Sequence, residues 1–511
     1  MASTKGKLEK TKVGEEVLDL VIPYIHHIED RNSVSLVSRM FYEIDGITRK
    51  HLTVHTLYYP NPASLSKRFP FIEALTLKGP PSNFCLYDIQ ITPWIEQLAL
   101  EFRCLKELHM RHLVVHDEDL ETLARTRGKD LRSLKIQKCE GFSTDGLRHV
   151  SKYCNQLRTF CLRYSYDTRV KDGIWLHQLA LNSTVLERFH VTNMDIPNAQ
   201  DLILLANNCC NSLISLKVGK CYLSKLGDAF RYAVRLEQFC SVYISDEESE
   251  LVGFRFPPNI RSFSIMEFPV TLYSSVLPLL NQIRKLKLGF VGLDEDQQCL
   301  LFERCPNLEV LYTRDECGDR GLHVIGKFCK KLRKLTHHGL VTHVGLIALA
   351  KGCTKLECLK VRLDISNEAM ECVGTHLKNL RDFRIWLSKE DDITILPLDY
   401  GVKAMLMGCS KLERLDISLQ HGGLTDVVLE DIGKYGVNLR SLRLECVGNS
   451  NAGLVKLSQG CQKLRELKLL GCPFSEQVVT SYVFNIRSLR YVCGYSSDCT
   501  TLALTRPDFQ L

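Results

Sequence analysis

"CPNLEVLYTRDECGDRGLHVIGKFC", residues 305–329, ends on the residue type with which it begins. The chain restarts the same way in "CKKLRKL" and "CTKLECL", so a Cys stands three residues ahead of a Leu at 305, 329 and 353. A 24-residue cycle is too long for a heptad and too regular for an ordinary domain. Within it, "RKLKLG" (284–289) alternates apolar and polar residues as a half-buried strand does. In "DRGLHVIGKFC" (319–329), Leu322, Ile325 and Phe328 return at helical spacing.

A period of this length built on L-x-x-L-x-L predicts a leucine-rich-repeat solenoid. The leading apolar residue of the phrase recurs seventeen times, from Ile72 and Leu105 to Leu464 and Leu489. One strand and one helix cannot bury their apolar sides alone, so successive repeats stack into a continuous core. The expected fold class is therefore α/β, a horseshoe of about seventeen repeats. In such a stack length grows by addition and does not count domains.

Of the 511 residues, 45% are hydrophobic and 24% charged. The opening "MASTKGKLEKTK" has no apolar run after its lysines, and no uninterrupted apolar stretch reaches membrane-spanning length. The 22 cysteines follow the repeat: Cys154, Cys210, Cys305, Cys329, Cys353, Cys409 and Cys461 each precede a leading Leu by three residues. That placement suits a small buried hydrophobe. With no C-x-x-C pair and no zinc spacing, packing is the expected role, in a reducing compartment.

Residues 13–50 break the rhythm. Val17, Leu18, Val21, Ile22 and Ile25 share one helical face; Asp30 or Ser33 opens a second helix carrying Val34, Leu36 and Val37; Met40, Phe41 and Ile44 continue a third. Three helices in about 40 residues are marginal alone and want a partner or a docking surface.

If the residue between the last two leucines of each phrase and the one just after them face outward, the chain offers 34 such positions. They hold twelve cations (Lys78, Arg111, Lys135, Arg163, Lys217, Lys287, Arg314, Lys360, Arg362, Arg384, Arg443, Lys468) against two acids, Asp416 and Glu445. The whole chain is nearly balanced at +7, so the bias is local. A basic wall attracts anions. Nucleic acid lacks a stacking platform here, and a small polyanion suits arginine forks better. No P-loop, G-x-S-x-G, H-E-x-x-H or paired-carboxylate motif supports an enzyme, and His26–His27 and His337–His338 read as solvent or strand residues.

The order and wording resemble an F-box followed by leucine-rich repeats, closest to the plant coronatine-insensitive proteins, the jasmonate co-receptors related to the auxin receptors. The resemblance runs through "DRNSVSLVSRMFYEID" (30–45), "THLKNLRDFRIWL" (375–387), "GGLTDVVLEDIGKYGVNLR" (422–440) and "SLRYV" (488–492). It implies a flexible basic tail (1–12), an F-box (13–55), and a solenoid with a C-terminal cap (56–511). The function it implies is that of a non-catalytic substrate receptor in an SCF-type ubiquitin ligase, nuclear and cytoplasmic. Its partners would be a Skp-type adaptor with the cullin core, and jasmonate ZIM-domain repressors as targets, with no nucleic acid and no membrane. Val17, Leu18 and Ile22 match the adaptor-facing positions, while the usual Cys-Arg-x-Trp reads Ser38-Arg39-Met40-Phe41.

The resemblance further implies an inositol polyphosphate on Lys78, His109, Arg111, Arg314, Arg384 and Arg490, with Glu466 in place of one lysine. For a jasmonate-type hormone, Arg314 and Arg384 match two pocket arginines, and Phe84 or Leu86 the loop's apolar contact. Pro81 or Ser82 and Leu470 stand where arginines are expected, Arg362 and Ser418 where tyrosines are, and Cys493 where a tryptophan is. The acidic insertion ahead of "GLIALA" is replaced by "HHGLVTHV" (337–344). Two functions stay open: a jasmonate-type co-receptor with an altered pocket, or a ligase receptor for another ligand or for a protein target alone.

Overall fold

The computed structural model of the chain describes residues 20–505 except 26–27, 57–60, 80–88, 164–169, 171, 196–197, 245, 315–316, 364–365, 387–396, 419–422, 484–485, 487, 490 and 496–500. The chain forms two compact units, Met1–Leu236 and Glu237–Leu511. The architecture is a leucine-rich-repeat solenoid behind an N-terminal F-box.

In the first unit, strands Ala74–Lys78, Glu107–Arg111, Ser133–Gln137, Thr159–Arg163, Arg188–Asp195 and Ser215–Cys221 pair in parallel, each with the next. Alternation decides their faces. Leu75 and Leu77, Leu108 and Met110, Leu134 and Ile136 are buried on the helix side, and the residues between them look outward. A further strand, His51–His55, precedes them and pairs in parallel with Ala74–Lys78. The F-box range expected from the sequence, 13–55, takes in these residues; in the structure they join the sheet, with only Val54 of "HLTVH" buried.

The N-terminal helices depart from the expected pattern. One spans Ile28–Ser35, and Leu36 and Val37 leave it in an exposed turn. Ser38 then caps the helix Arg39–Thr48, its hydroxyl accepting from the Phe41 N–H at 3.3 Å. The two helices are tied by a buried charge cluster. Asp45, fully buried, accepts from Arg31 Nε at 2.8 Å and Arg49 Nη2 at 2.9 Å, and Arg49 also donates to Asn32 Oδ1 at 3.0 Å. Removing one partner from such a set costs about 3–5 kcal/mol. Arg49 also lies over the buried Phe69 ring, 5.5 Å from its centroid, which docks the cluster onto the first repeat.

The second unit continues from Gln238–Ile244 through eleven further strands, each pairing with the next. The last, Thr501–Thr505, runs antiparallel to Tyr491–Tyr495. Not every repeat has the expected helix: a 3-10 turn, Glu248–Leu251, serves between Gln238–Ile244 and Ser262–Phe268. Pro257 and Pro258 interrupt helical hydrogen bonding there, and Phe239, Phe254, Phe256 and Phe263 fill the space with rings 4.9–6.4 Å apart.

Later helices pack in pairs through glycine. A Cβ on Gly352 would stand 2.1 Å from the Gly326 carbonyl oxygen, on Gly408 2.0 Å from that of Gly374, and on Gly460 2.1 Å from that of Gly433. Cys329, Cys353, Cys409 and Cys461 cap these helices at their C-termini and are 0–1% exposed. Cys329 Sγ donates to the Phe302 carbonyl at 3.5 Å and Cys461 Sγ to that of Ile432 at 3.5 Å. Burial pushes the Cys353, Cys409 and Cys461 thiols up to about 12, so they serve as packing groups. At the Cys209–Cys210 pair the sequence reading chose the wrong neighbour: Cys209 is the buried cap and Cys210 is partly exposed.

Candidate functional site

Strand register aligns the outward side chains of the first unit into rows. Thr76, His109, Lys135, Cys161, His190 and Lys217 form one; Lys78, Arg111, Gln137, Arg163 and Thr192 form the next; Ala74, Glu107, Ser133, Thr159, Arg188 and Ser215 form a third. These rows hold six cations and one carboxylate, Glu107. Lys78, His109 and Arg111 thus fall on adjacent strands, as expected.

The field of these cations shows in their neighbours. Burial lowers the Lys78 ammonium, and Arg111 pushes the same way. Burial lowers His109, with Lys135, Arg111 and Lys78 adding to it against a hydrogen bond that the ring donates to the Gln137 side chain. His109 Nε2 is buried without a hydrogen-bond partner. His190 is pushed to about 3 by burial, then by Lys217 and Arg163, while its Nε2 meets Ser215 Oγ at 2.8 Å. An open hollow of about 560 Å³ lies over Lys135, Cys161, His190 and Lys217.

The second unit answers its cations over four strands. Positions in register with Asp382, Arg384 and Trp386, through to Leu470, hold four bases and four acids. Arg384 Nε donates to Asp382 Oδ1 at 2.8 Å and its Nη2 to Oδ2 at 3.1 Å, a fork that raises the guanidinium pKa. Arg443 stands 3.7 Å from Asp416 and 3.3 Å from Glu445. Lys468 is 3.1 Å from Glu466, the acid at the expected lysine position. Burial raises Asp416 in spite of Arg443 and Arg384. Ser418, at a tyrosine position of the resemblance, donates to Glu445 Oε2 at 2.9 Å.

Earlier strands of this unit bring a group the sequence reading missed. Exposed Arg314 donates from Nε to Tyr312 Oη at 2.9 Å. Tyr312 meets His338 edge-on at 5.4 Å, and His338 stacks on Trp386 at 5.9 Å with planes 12° apart. Lys287 lies 5.9 Å from the Tyr312 ring centroid. The missed signal was an aromatic at an outward position of three strands. His337 and His338, read as solvent or strand residues, both lie in the strand Lys334–Val341, and His337 is fully buried there with neither ring nitrogen hydrogen-bonded.

The remaining expected residues divide. Arg362 is exposed beside Trp386 in register, and Leu470 ends its strand opposite Tyr495. Cys493 aligns with Lys468 by backbone. Ser82, Phe84, Leu86, Arg490, Val17, Leu18, His26 and His27 lie outside the described residues. Ile22, expected at the adaptor surface, is only 1% exposed; the exposed apolar side chains nearby are Leu20, Val21, Tyr24, Leu36 and Val37.

The F-box family matches residues 10–51. "Coronatine-insensitive protein 1" of Arabidopsis thaliana is 39% identical over 522 residues, covering 97% of this chain and 88% of its own length. "Coronatine-insensitive protein homolog 1b" of Oryza sativa subsp. japonica is 40% identical over 519 residues, covering 96% and 86%. Among solved structures, an internalin from Listeria monocytogenes aligns at a TM-score of 0.37 and 14% identity, over 74% of this chain and 88% of that one, a likeness too loose to carry an argument.

Proposed function

Since this chain belongs to the coronatine-insensitive family of F-box and leucine-rich-repeat proteins, we propose that it is a substrate receptor of an SCF-type ubiquitin ligase in jasmonate-type signalling. One observation carries this reading: 39–40% identity runs through the F-box and the repeats together, over 96–97% of the chain. In this role the chain is non-catalytic. Its F-box holds a Skp-type adaptor on the cullin core, its repeats present jasmonate ZIM-domain repressors, and it works in the nucleus and cytoplasm.

The adaptor surface is the exposed apolar set Leu20, Val21, Tyr24, Leu36 and Val37, since a few apolar anchors carry most interfaces. Val17 and Leu18 join it by resemblance, and Ile22 supports it from within. Replacing Leu36 and Val37 by Glu tests this without touching the core. Adaptor co-purification should disappear while the melting temperature holds; undiminished co-purification would refute the F-box role.

An inositol polyphosphate fits the first unit, where Lys78, Arg111 and the unpartnered His109 Nε2 face outward on adjacent strands. Arg314 and Arg384, implied by the resemblance, belong to the second unit, where Arg384 is already engaged by Asp382.

A second reading, a receptor for a different ligand, is favoured by the altered pocket positions. Arg362 and the Ser418–Glu445 bond replace expected tyrosines, and Trp386 and His338 stack nearby. Two lost arginine contacts, at 82 and 470, amount to roughly 3–6 kcal/mol, or roughly 100- to 10,000-fold in hormone affinity. Restoring Arg at 82 and 470, Tyr at 362 and 418 and Trp at 493 should therefore raise jasmonoyl-isoleucine-dependent capture of the degron. Equal capture by the native chain would discard the altered-pocket reading.

A further inference from the structure

The row of outward cations in the first unit runs well past the three residues that resemblance ties to a polyphosphate. Lys78, Arg111, Lys135, Arg163, Arg188 and Lys217 stand one on each of six successive strands. Paired strands lie about 4.8 Å apart, so the ladder is roughly 24 Å long. A site for one phosphate gathers several donors on one point, as an arginine fork does. Here the charges are strung out instead, at single-strand intervals. Beside them run hydroxyls and an amide: Ser133, Thr159 and Ser215 in one row, Gln137 in another.

Three features narrow the occupant. The length matches about seven residues of extended chain at roughly 3.3 Å each. No Phe, Tyr or Trp stands in the three rows to stack a base, which disfavours single-stranded nucleic acid. The hollow over Lys135 to Lys217 is walled mainly by cations, hydroxyls and amides, with Glu107 and Glu187 its two carboxylates, and Glu187 is already taken by Arg158 and Arg188.

We propose that this ladder docks an extended acidic segment of the protein target, its carboxylates taken in turn by Lys135, Arg163 and Lys217. The inference rests on the substrate-receptor reading above, and adds to it a point of target contact within the first unit. Charge complementarity of this kind speeds encounter and selects partners.

The test uses the full chain bound to its Skp-type adaptor and a fluorescein-labelled octaglutamate peptide followed by anisotropy. The native complex should bind the peptide at low ionic strength and lose it as salt rises. Lys135→Glu with Lys217→Glu should weaken binding about tenfold or more, Lys135→Arg with Lys217→Arg should retain it, and inositol hexakisphosphate affinity should change by less than about twofold. Absence of peptide binding, or equal binding by the Glu variant, overturns the proposal. So does a parallel fall in inositol hexakisphosphate affinity, which would make the ladder a small-polyphosphate site. Adaptor and degron capture are measured on the same preparations. If those fail while octaglutamate binds, the receptor reading falls and the ladder stands; if they hold while octaglutamate does not bind, only the ladder falls.

Discussion

Six strands of the first unit and four of the second present the same kind of surface, yet their charges are arranged in opposite ways. Between Ala74 and Lys217 the outward rows set six cations against one carboxylate. Between Asp382 and Leu470 they set four against four, with Arg384, Arg443 and Lys468 each within 4 Å of an acid. Inside, these two regions are alike, since Ile385, Ile417, Leu444 and Leu469 are buried as well, and it is earlier strands of the second unit that depart from the pattern. The first unit places Leu77, Met110, Ile136, Leu162 and Val191 against the helices, whereas the second inserts Ser241, Thr313 and His337. The first region thus keeps an outward face rich in cations and poor in acids. The second spends its arginines on internal structure, which favours geometry over anion capture.

The largest expected effect concerns the inward row. His337 is fully buried and held neutral, lowered by burial from 6.5 to about 4. The native state therefore binds fewer protons than the unfolded chain. Stability is full above pH 6.5 and falls as pH drops towards 4, by up to about 3 kcal/mol. His337→Leu, measured by urea unfolding at both ends of that window, should reduce the slope and leave the part contributed by His190, which is pushed to about 3; an unchanged slope would assign all of it to other groups. Next comes Asp382→Asn, which frees Arg384 and makes the second region resemble the first. It should cost about 1–2 kcal/mol while tightening inositol hexakisphosphate binding. Weaker binding would show that the Asp382 fork positions Arg384 for the anion. The smallest effect is expected from Lys135→Gln with Lys217→Gln. Since the rungs serve a ligand more than the fold, melting should shift by no more than about 0.5 kcal/mol. A loss of several times that would mean the ladder is structural.

The repeat was legible because a period of about 24 residues is written in residues that must be buried: Leu308, Leu332 and Leu356 are all 0% exposed. Features that depend on cross-strand neighbours were not. Counting outward cations along the sequence gave twelve against two, because Asp382 and Glu466 lie one alternation earlier on their strands than the positions counted. Only the register brings Glu445 beside Ser418. Leu36 and Val37 read as helix by their apolar character, yet they sit in a turn, where exposure suits an interface. The stack of Tyr312, His338 and Trp386 was hidden because its members are 26 and 48 residues apart in sequence.

The glycine contacts between helix pairs also bear on how the second unit responds to force. Gly326 with Gly352, Gly374 with Gly408 and Gly433 with Gly460 bring two backbones together where no side chain can act as a spacer. Each such pair is a stiff couplet, and the joints between couplets lack that contact. Stretched between its ends in an optical trap, this stretch should lengthen in steps of two repeats. Compliance would then reside in the alternate joints, and a captured target could flex the receptor there while leaving each couplet intact.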